Sequence, residues 1–509
     1  MSIQGYLGID AGTQGLSVTL TDEAMQALAV GEGDYAMEPD LAAGCYEQHP
    51  DRWIDALKHA MADLRDKMKG QTWNVLAIGI SGQMHGEALA DAEGHALAPA
   101  RLWCDARNED EGEELTALLG VKMPKRITAA RWLWTLRNQP EKAQRAAHLT
   151  TPGGWIAHAL TGAWNLGIGD ASGMFPMDQA TQDYNQPWLK QFEALTPEGL
   201  PKLSALLPSV RKAGEEAGVV TKEAASWMGL PAGIPVAGAE GDQPAALAGS
   251  LIGDAGMISI SLGTSVVANA VGDHAFEGVH PGIDHFCAAD GKPINMVWLR
   301  NGTTYMNVIV DCFGAVTGGG RKAGFAAVIP QVLNAPADCG GLLALPFMDD
   351  EPGLGVSRGG TGLVCGINAD NATPGNVAKA ALLATLFNLR HGLDELDRQG
   401  FPRTELVLSG GLLRDPELGQ LIADALNTPA RILASGTEGS AWGAALLAKY
   451  RHLNLTDGAP AWSAFLKSHE SGSPHRFTPN KATTQTLDDM YSRYLSLLEA
   501  HPTLEKALR

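Results

Sequence analysis

The sequence predicts an α/β protein built as two similar halves around a cleft, and three observations carry that expectation. Residues 8–14, Gly-Ile-Asp-Ala-Gly-Thr-Gln, return in outline half a chain later as Ser-Ile-Ser-Leu-Gly-Thr-Ser at 259–265, each an apolar β-like run that breaks at a Gly-Thr pair. Repetition over that distance marks two domains, not neighbouring supersecondary units. β-like runs and helical spacings are interleaved throughout, the pattern of sheets with helices on their faces. No Pro/Ser-rich or low-complexity linker separates the halves, so they are expected to pack directly and to move about a hinge. A Gly-Thr turn between strands aims successive backbone N–H groups and a hydroxyl at one spot, which makes a nest for phosphate oxygens. A nucleotide held between the halves is the first reading; two ordinary hairpin turns are the alternative.

Element by element, strands are expected over 6–10 and 17–22, a helix over 53–68, and a strand over 75–80 running into the loop Ser81-Gly82-Gln83-Met84-His85-Gly86. A strand over 234–237 ends in Gly-Ala-Glu-Gly-Asp-Gln-Pro and passes into an Ala-rich helix. The second copy starts near Ala255, which divides the chain into 1–252 and 253–509. Thr373-Pro374 reads as an N-cap and first-turn pair, after which Leu382, Leu386, Leu389, Leu393 and Leu396 recur at helical spacing. Then follow a strand over 405–409, Gly410-Gly411, a helix over 416–427, a strand over 431–434, a glycine turn over 436–439 and a small-residue helix over 440–449. Gly443, Ala444 and Ala445 would let that helix approach a sheet closely. Residues 451–509 form a mixed tail ending in an amphipathic helix.

Composition narrows the function classes. A formal net charge of −19 argues against nucleic acid or an anionic membrane as partner, since both reward clustered Lys and Arg. It also means that a bound polyanion must find its positive potential in backbone N–H groups, helix N-termini and a divalent cation. No apolar run is long enough to span a bilayer and no signal peptide precedes the first strand, so a cytoplasmic protein is expected. The six cysteines are scattered singly without zinc spacing, and they read as reduced packing residues.

Asp242, between a strand end and a helix start, is the candidate general base, with an ordinary N-cap as the alternative. Asp10 beside the first Gly-Thr turn could hold Mg²⁺ through its hard oxygen, or merely stabilise the turn. Ser261 stands where the first copy has Asp10, an asymmetry that suits one metal site. Gly410 and Gly411 would let a flat ligand approach the backbone, although glycines after strands are routine turn residues. There is no G-x-x-x-x-G-K-[ST] loop, so any phosphoryl transfer uses another architecture. Gly318-Gly319-Gly320-Arg321-Lys322 reads as a flexible connection between helices. Met84 and His85 lie on a loop after a strand, and with Trp103, Asp105 and Arg107 they could form a polyol pocket of directed donors and acceptors. Read singly, His85 is more often a structural hydrogen bonder and Trp103 a core residue.

Taken in order, the motifs at 8–14, 81–86, 241–245 (Gly-Asp-Gln-Pro-Ala), 261–265 and 408–411 (Leu-Ser-Gly-Gly), together with Trp103-x-Asp105-x-Arg107, Glu47-Gln48-His49-Pro50-Asp51-Arg52-Trp53 and Thr161-Gly162, resemble the FGGY carbohydrate kinases. The likeness is greatest to the branch acting on D-xylulose. It implies two actin-like (ribonuclease H-like) ATPase domains flanking a catalytic cleft, with sugar mainly on 1–252 and ATP mainly on 253–509. It implies that Asp242 takes the proton of the attacking sugar hydroxyl, and that Asp10 and Asp242 hold Mg²⁺. Gly12, Thr13 and Gln14 would grip the phosphates from one side, and Gly263, Thr264 and Ser265 from the other. Gly410 and Gly411 would line the adenosine, and Met84, His85, Trp103, Asp105 and Asp242 would contact the ketose. The chain departs from the family pattern at Ser17, at Gly153-Gly154, at Leu383-Ala384 and at Asp349-Asp350-Glu351-Pro352-Gly353, where Gly-Glu-Arg-x-Pro is usual. The expected activity is ATP-dependent phosphorylation of a terminal ketose hydroxyl, first D-xylulose. Another pentulose, a heptulose or a polyol is the runner-up, and a catalytically inactive sugar-binding protein is the alternative of another class. A small sugar and ATP are the expected partners, with a homodimer left open.

Overall fold

The computed structural model describes residues 2–508 apart from 435–438 and 457. Two sheets form the frame, and they share a plan. The first has the strand order Glu240–Gly241, Trp73–Gly82, Ile3–Ala11, Gly15–Asp22, Ala27–Asp34. Its last three strands are an antiparallel meander, whereas Trp73–Gly82 and Glu240–Gly241 add in parallel on the other side of Ile3–Ala11. In the second sheet Met257–Leu262, Val266–Val271 and Pro293–Leu299 repeat the meander, and Glu405–Ser409 and Ala430–Ile432 repeat the parallel additions. Ile283–Cys287 and His475–Phe477 extend its two edges. The repeat read from the two Gly-Thr turns is therefore a repeat of topology.

Each sheet carries its own apolar core. Pro50–Lys67 starts with Asp51 N–H on the His49 imidazole and with Pro50 in the first turn, and it buries Trp53, Leu57, Met61 and Leu64 against the meander. Thr373 caps Pro374–Arg398 by accepting from Asn376 N–H, and the predicted leucine stripe is buried under the second sheet. No helix among the described residues is long and apolar enough to cross a membrane.

The structure corrects several sequence expectations. The 234–237 run makes only isolated bridges, Val236 to Ile78 and Pro235 to Val219, and the paired strand is Glu240–Gly241, immediately before Asp242. The 416–427 helix begins at Leu418 and the 431–434 strand stops at Ile432. Of the expected turn at 436–439, residues 436–438 lie outside the described residues. The small-residue helix runs Gly439–Thr456 and leaves its own half to lie on the first sheet. Glycine makes the crossing feasible: a Cβ on Gly8 would come within 1.9 Å of the Ala441 carbonyl oxygen, one on Gly79 within 1.8 Å of that of Ala444, and one on Gly443 within 1.9 Å of that of Ala245. Trp442 then closes the seam by donating its indole N–H to the Met25 carbonyl across the halves.

Candidate active site

Parallel pairing brings the candidate residues together. Asp10 is in register with Ser81, and Ser81 with Glu240, so the carboxyl ends of three adjacent strands deliver Asp10, the 83–86 loop and Asp242 to one edge. Open α/β sheets bind ligands at that edge. In the second sheet Ser261 is in register with Ser409, which sets Gly263–Ser265 beside Gly410 and Gly411. Gly410 has φ 111°, and a Cβ there would come within 2.3 Å of the Leu262 carbonyl oxygen, so the two turns touch.

The two Gly-Thr turns are built alike. Gly12 N–H bonds the Gly15 carbonyl at 2.9 Å, and Gly263 N–H bonds the Ser265 carbonyl at 3.0 Å. The next two amides of each, Thr13 and Gln14, then Thr264 and Ser265, have no acceptor among the described residues. Successive unpaired N–H groups of this kind can take phosphate oxygens. Both turns are held from behind. Tyr35 donates to the Gly12 carbonyl, Gln48 to the Thr13 carbonyl at 2.8 Å, and Gln83 to the Gln48 side chain at 3.1 Å. On the other side Gly302 and Thr303 N–H bond the Thr264 and Gly263 carbonyls at 2.9 Å. A Cβ on Gly302 would stand 2.6 Å from both of those oxygens, so only glycine fits. Glu351 anchors this support by accepting from the N–H groups of Arg300 and Asn301. The departing 349–353 segment thus still organises the second turn.

Asp242 opens the helix Asp242–Gly249 and accepts from Gln243 N–H at 2.8 Å. Burial, and then the neighbouring Asp10 charge, push its carboxyl up to about 7. Asp10 is raised too, by burial, although hydrogen bonds from Ser81 and Ser440 favour its charged form. Ser440 sits at the start of the crossing helix, which therefore reaches the site from the opposite half. Two adjacent, half-desolvated carboxylates suit a hard divalent cation. Among the described residues no set of three or more His, Cys, Asp or Glu side chains converges as metal ligands, so such a cation would complete its oxygens from phosphate and water, the usual habit of Mg²⁺.

The sequence missed two further acids behind Asp242. Asp170 is fully buried, takes the Thr151 hydroxyl on one oxygen and leaves the other unpartnered; burial pushes it up to about 8. Glu240, also buried and raised, accepts from Asp170 N–H. Asp170 is a lone acid with no local signal, and Glu240, although inside the Gly-Ala-Glu-Gly-Asp-Gln-Pro string, has nothing in its spacing to pair it with Asp170; only the fold brings the two together behind Asp242.

His85 occupies the left-handed region, φ 66°, which is costly for a side chain with a Cβ and marks a locally imposed geometry. Its Nδ1 lies 2.8 Å from the Gly173 carbonyl, so Nδ1–H donates and Nε2 is left as an acceptor. Burial and the nearby Arg126 charge drive the imidazole down to about 3, which keeps it neutral. Trp103 is 44% exposed and donates its indole N–H to Thr13 Oγ1 at 3.1 Å, joining the aromatic loop to the first turn. Met84 is buried and packs against Gly241, a support behind Asp242 and not an open face. Asp105 requires correction as a cleft-facing carboxylate: it is fully buried, and its oxygens accept from Tyr46 N–H and from Arg107, which also pairs with Glu47. It fastens the loop that carries Trp103.

Comparison with known proteins gives this geometry a context. The model of the FGGY family of carbohydrate kinases, N-terminal domain, matches residues 5–249, and that of the C-terminal domain matches 258–452. The chain is 27% identical to the xylulose kinase of Haemophilus influenzae over 97% of its own length and 99% of that protein. It superposes on a crystal structure of a xyloylose kinase from Brucella ovis with TM-score 0.81 and 26% identity, covering 98% of this chain and 100% of that one. The gluconate kinase of Lactobacillus acidophilus shares the fold, with TM-score 0.81 at 19% identity over 98% of each chain. Two α/β domains of actin-like ATPase type and family models that match residues 5–249 and 258–452 lead to one conclusion: this protein belongs to the FGGY family of carbohydrate kinases.

Proposed function

We propose that this kinase transfers the γ-phosphate of ATP to a terminal hydroxyl of a ketose, with D-xylulose the first substrate. The observation that supports it most is Asp242, a carboxylate raised to about 7 beside Asp10, at the same sheet edge as a turn with unpaired amides. A base of that pKa is half ionised near neutral pH and can accept a proton without being swamped by it. The sugar lies on the 1–252 side against Trp103, with a hydroxyl donating to His85 Nε2. ATP lies on the 253–509 side, its phosphates on the amides of Thr264 and Ser265 and of Thr13 and Gln14, its adenosine over Gly410 and Gly411. Asp242 takes the proton from the attacking hydroxyl as that oxygen bonds to the γ-phosphorus and the bond to ADP breaks. Asp10 and Asp242 would hold Mg²⁺, which when bound neutralises charge on the phosphate oxygens. The rest is positioning and charge compensation by fixed dipoles.

The relative named a xylulose kinase supports D-xylulose, as does a neutral imidazole acceptor in the loop after Trp73–Gly82. A pocket of directed hydroxyl partners rejects mismatched sugars by leaving buried polar groups unpaired. An ADP-release assay across D-xylulose, L-ribulose, gluconate and glycerol tests the assignment. The highest kcat/KM is expected for D-xylulose; a tenfold or greater advantage for another acceptor overturns the sugar while leaving the kinase reading in force.

A further inference from the structure

The 125–131 segment is the brace of the sugar loop. Thr128 donates its hydroxyl to the Gly86 carbonyl at 3.1 Å, and its N–H shares the Gly173 carbonyl with His85. Arg131, fully buried, donates to the carbonyls of Leu102 and Trp103 on one side and of Arg126 on the other, which ties the aromatic loop to the same brace. From this brace Arg126 reaches across to the second half, where its guanidinium pairs with Asp284 on the edge strand Ile283–Cys287. Contacts beside it run the same way: Lys122 Nζ to the Pro281 carbonyl at 3.4 Å, and Cys287 N–H to Ser172 Oγ at 2.8 Å, one residue from Gly173. The interface next to the pair is not a close-packed core. It encloses a cavity of about 90 Å³ lined by Ile127, Trp188, Phe276 and Phe286, with His285 Nε2 and Asn295 Nδ2 lacking partners. Apolar interiors that must stay shut are filled. Here polar contacts at the rim hold the halves, and such contacts can be made and broken as the cleft works.

We propose that Arg126 is a positioning residue, whose ion pair with Asp284 across the cleft sets His85 and Trp103 in their sugar-binding geometry as the halves close. Closure of the second half pulls on Arg126, and the bonds of Thr128 and Arg131 pass that pull to both sugar-contacting loops. The inference builds on the kinase reading of the site but not on the identity of the sugar.

The test uses the whole protein and the best acceptor from the substrate screen, with three variants: Asp284→Asn, Arg126→Gln and Arg126→Lys. The expected result for Asp284→Asn and Arg126→Gln is a rise of about tenfold or more in KM for the acceptor, with KM for ATP changed by less than about threefold, because only the sugar loops lose their geometry. Arg126→Lys keeps the charge and is expected to recover most of the loss. Small-angle scattering gives a readout apart from turnover: wild type should become more compact with ATP analogue and acceptor together, and the two neutral variants should not. Unchanged acceptor KM and unchanged compaction in Asp284→Asn, a near-isosteric change that leaves the fold intact, overturns the proposal whatever Arg126→Gln does. Equal losses for acceptor and ATP overturn it as well, since that is the mark of a merely structural pair. If no sugar is phosphorylated by wild type, the functional reading fails instead, and loss of nucleotide-driven compaction in Asp284→Asn still supports the pair while its persistence refutes it.

Discussion

Asp242 carries two properties that one substitution separates. Replacing it by Asn keeps the shape and the bond from Gln243 N–H but removes the proton acceptor. Phosphoryl transfer should fall by about 10²–10⁴-fold, the usual contribution of a general base, with acceptor binding largely kept. The same change should alter how stability depends on pH. The folded carboxyl sits at about 7, above the roughly 3.9 of an unfolded Asp, so the native state binds the extra proton between those values. Stability from this group is present at low pH and is lost as pH rises through 7. In metal-free buffer the Asn variant avoids that loss, so its melting temperature relative to wild type should climb from pH 5 to pH 8. A difference that stays flat or falls would mean that Asp242 is not held up by its surroundings.

The decisive element is the crossing helix Gly439–Thr456. Its second residue, Ser440, stands beside Asp10, and the helix lies against strands of the opposite half, where Gly8 and Gly79 let its backbone come down onto the sheet. Gly79→Val puts a branched side chain where even a Cβ would be 1.8 Å from the Ala444 carbonyl oxygen. Overpacking of this kind costs about 1–3 kcal/mol or more, and the chemical-denaturation midpoint should drop accordingly. Because the helix also carries Ser440 to Asp10, catalysis should suffer beyond the loss of folded protein. A variant of normal stability and normal rate would show that the helix does not seat on this strand. The small residues announced a close approach; nothing local said which sheet would receive it.

At the scale of the whole molecule the acidic charge meets an anionic substrate. With a net charge of −19, and with the proposed phosphate turns offering amides, the proposed site implies a long-range field that opposes ATP and short-range dipoles that hold it. Screening removes the first and hardly touches the second. The kcat/KM for ATP should therefore rise about two- to fivefold between about 20 and 200 mM salt, while that for a neutral sugar stays nearly constant. A fall with salt would reveal cationic side chains along the nucleotide's path.

Much of this protein was determined by the sequence alone, and the reason lies in what local chemistry encodes. Gly12-Thr13 and Gly263-Thr264 specify their own turns, Thr373-Pro374 starts its helix, and strand alternation fixes the parts of both sheets, because each depends on near neighbours along the chain. Asp10 stood out because it flanks such a turn, and Asp242 because it lies between a strand end and a helix start. The tertiary structure alone decided the rest. Asp105 and Arg107 satisfy each other inside a loop instead of facing a sugar, Asp170 and Glu240 come to lie behind Asp242, and Gly302 proves to be the floor of the second turn. The brace from Arg126 to His85 joins residues that no spacing relates. Such pairings depend on the register of parallel strands and on a helix crossing between halves, and long-range packing of that kind leaves no periodic trace in the chain that makes it.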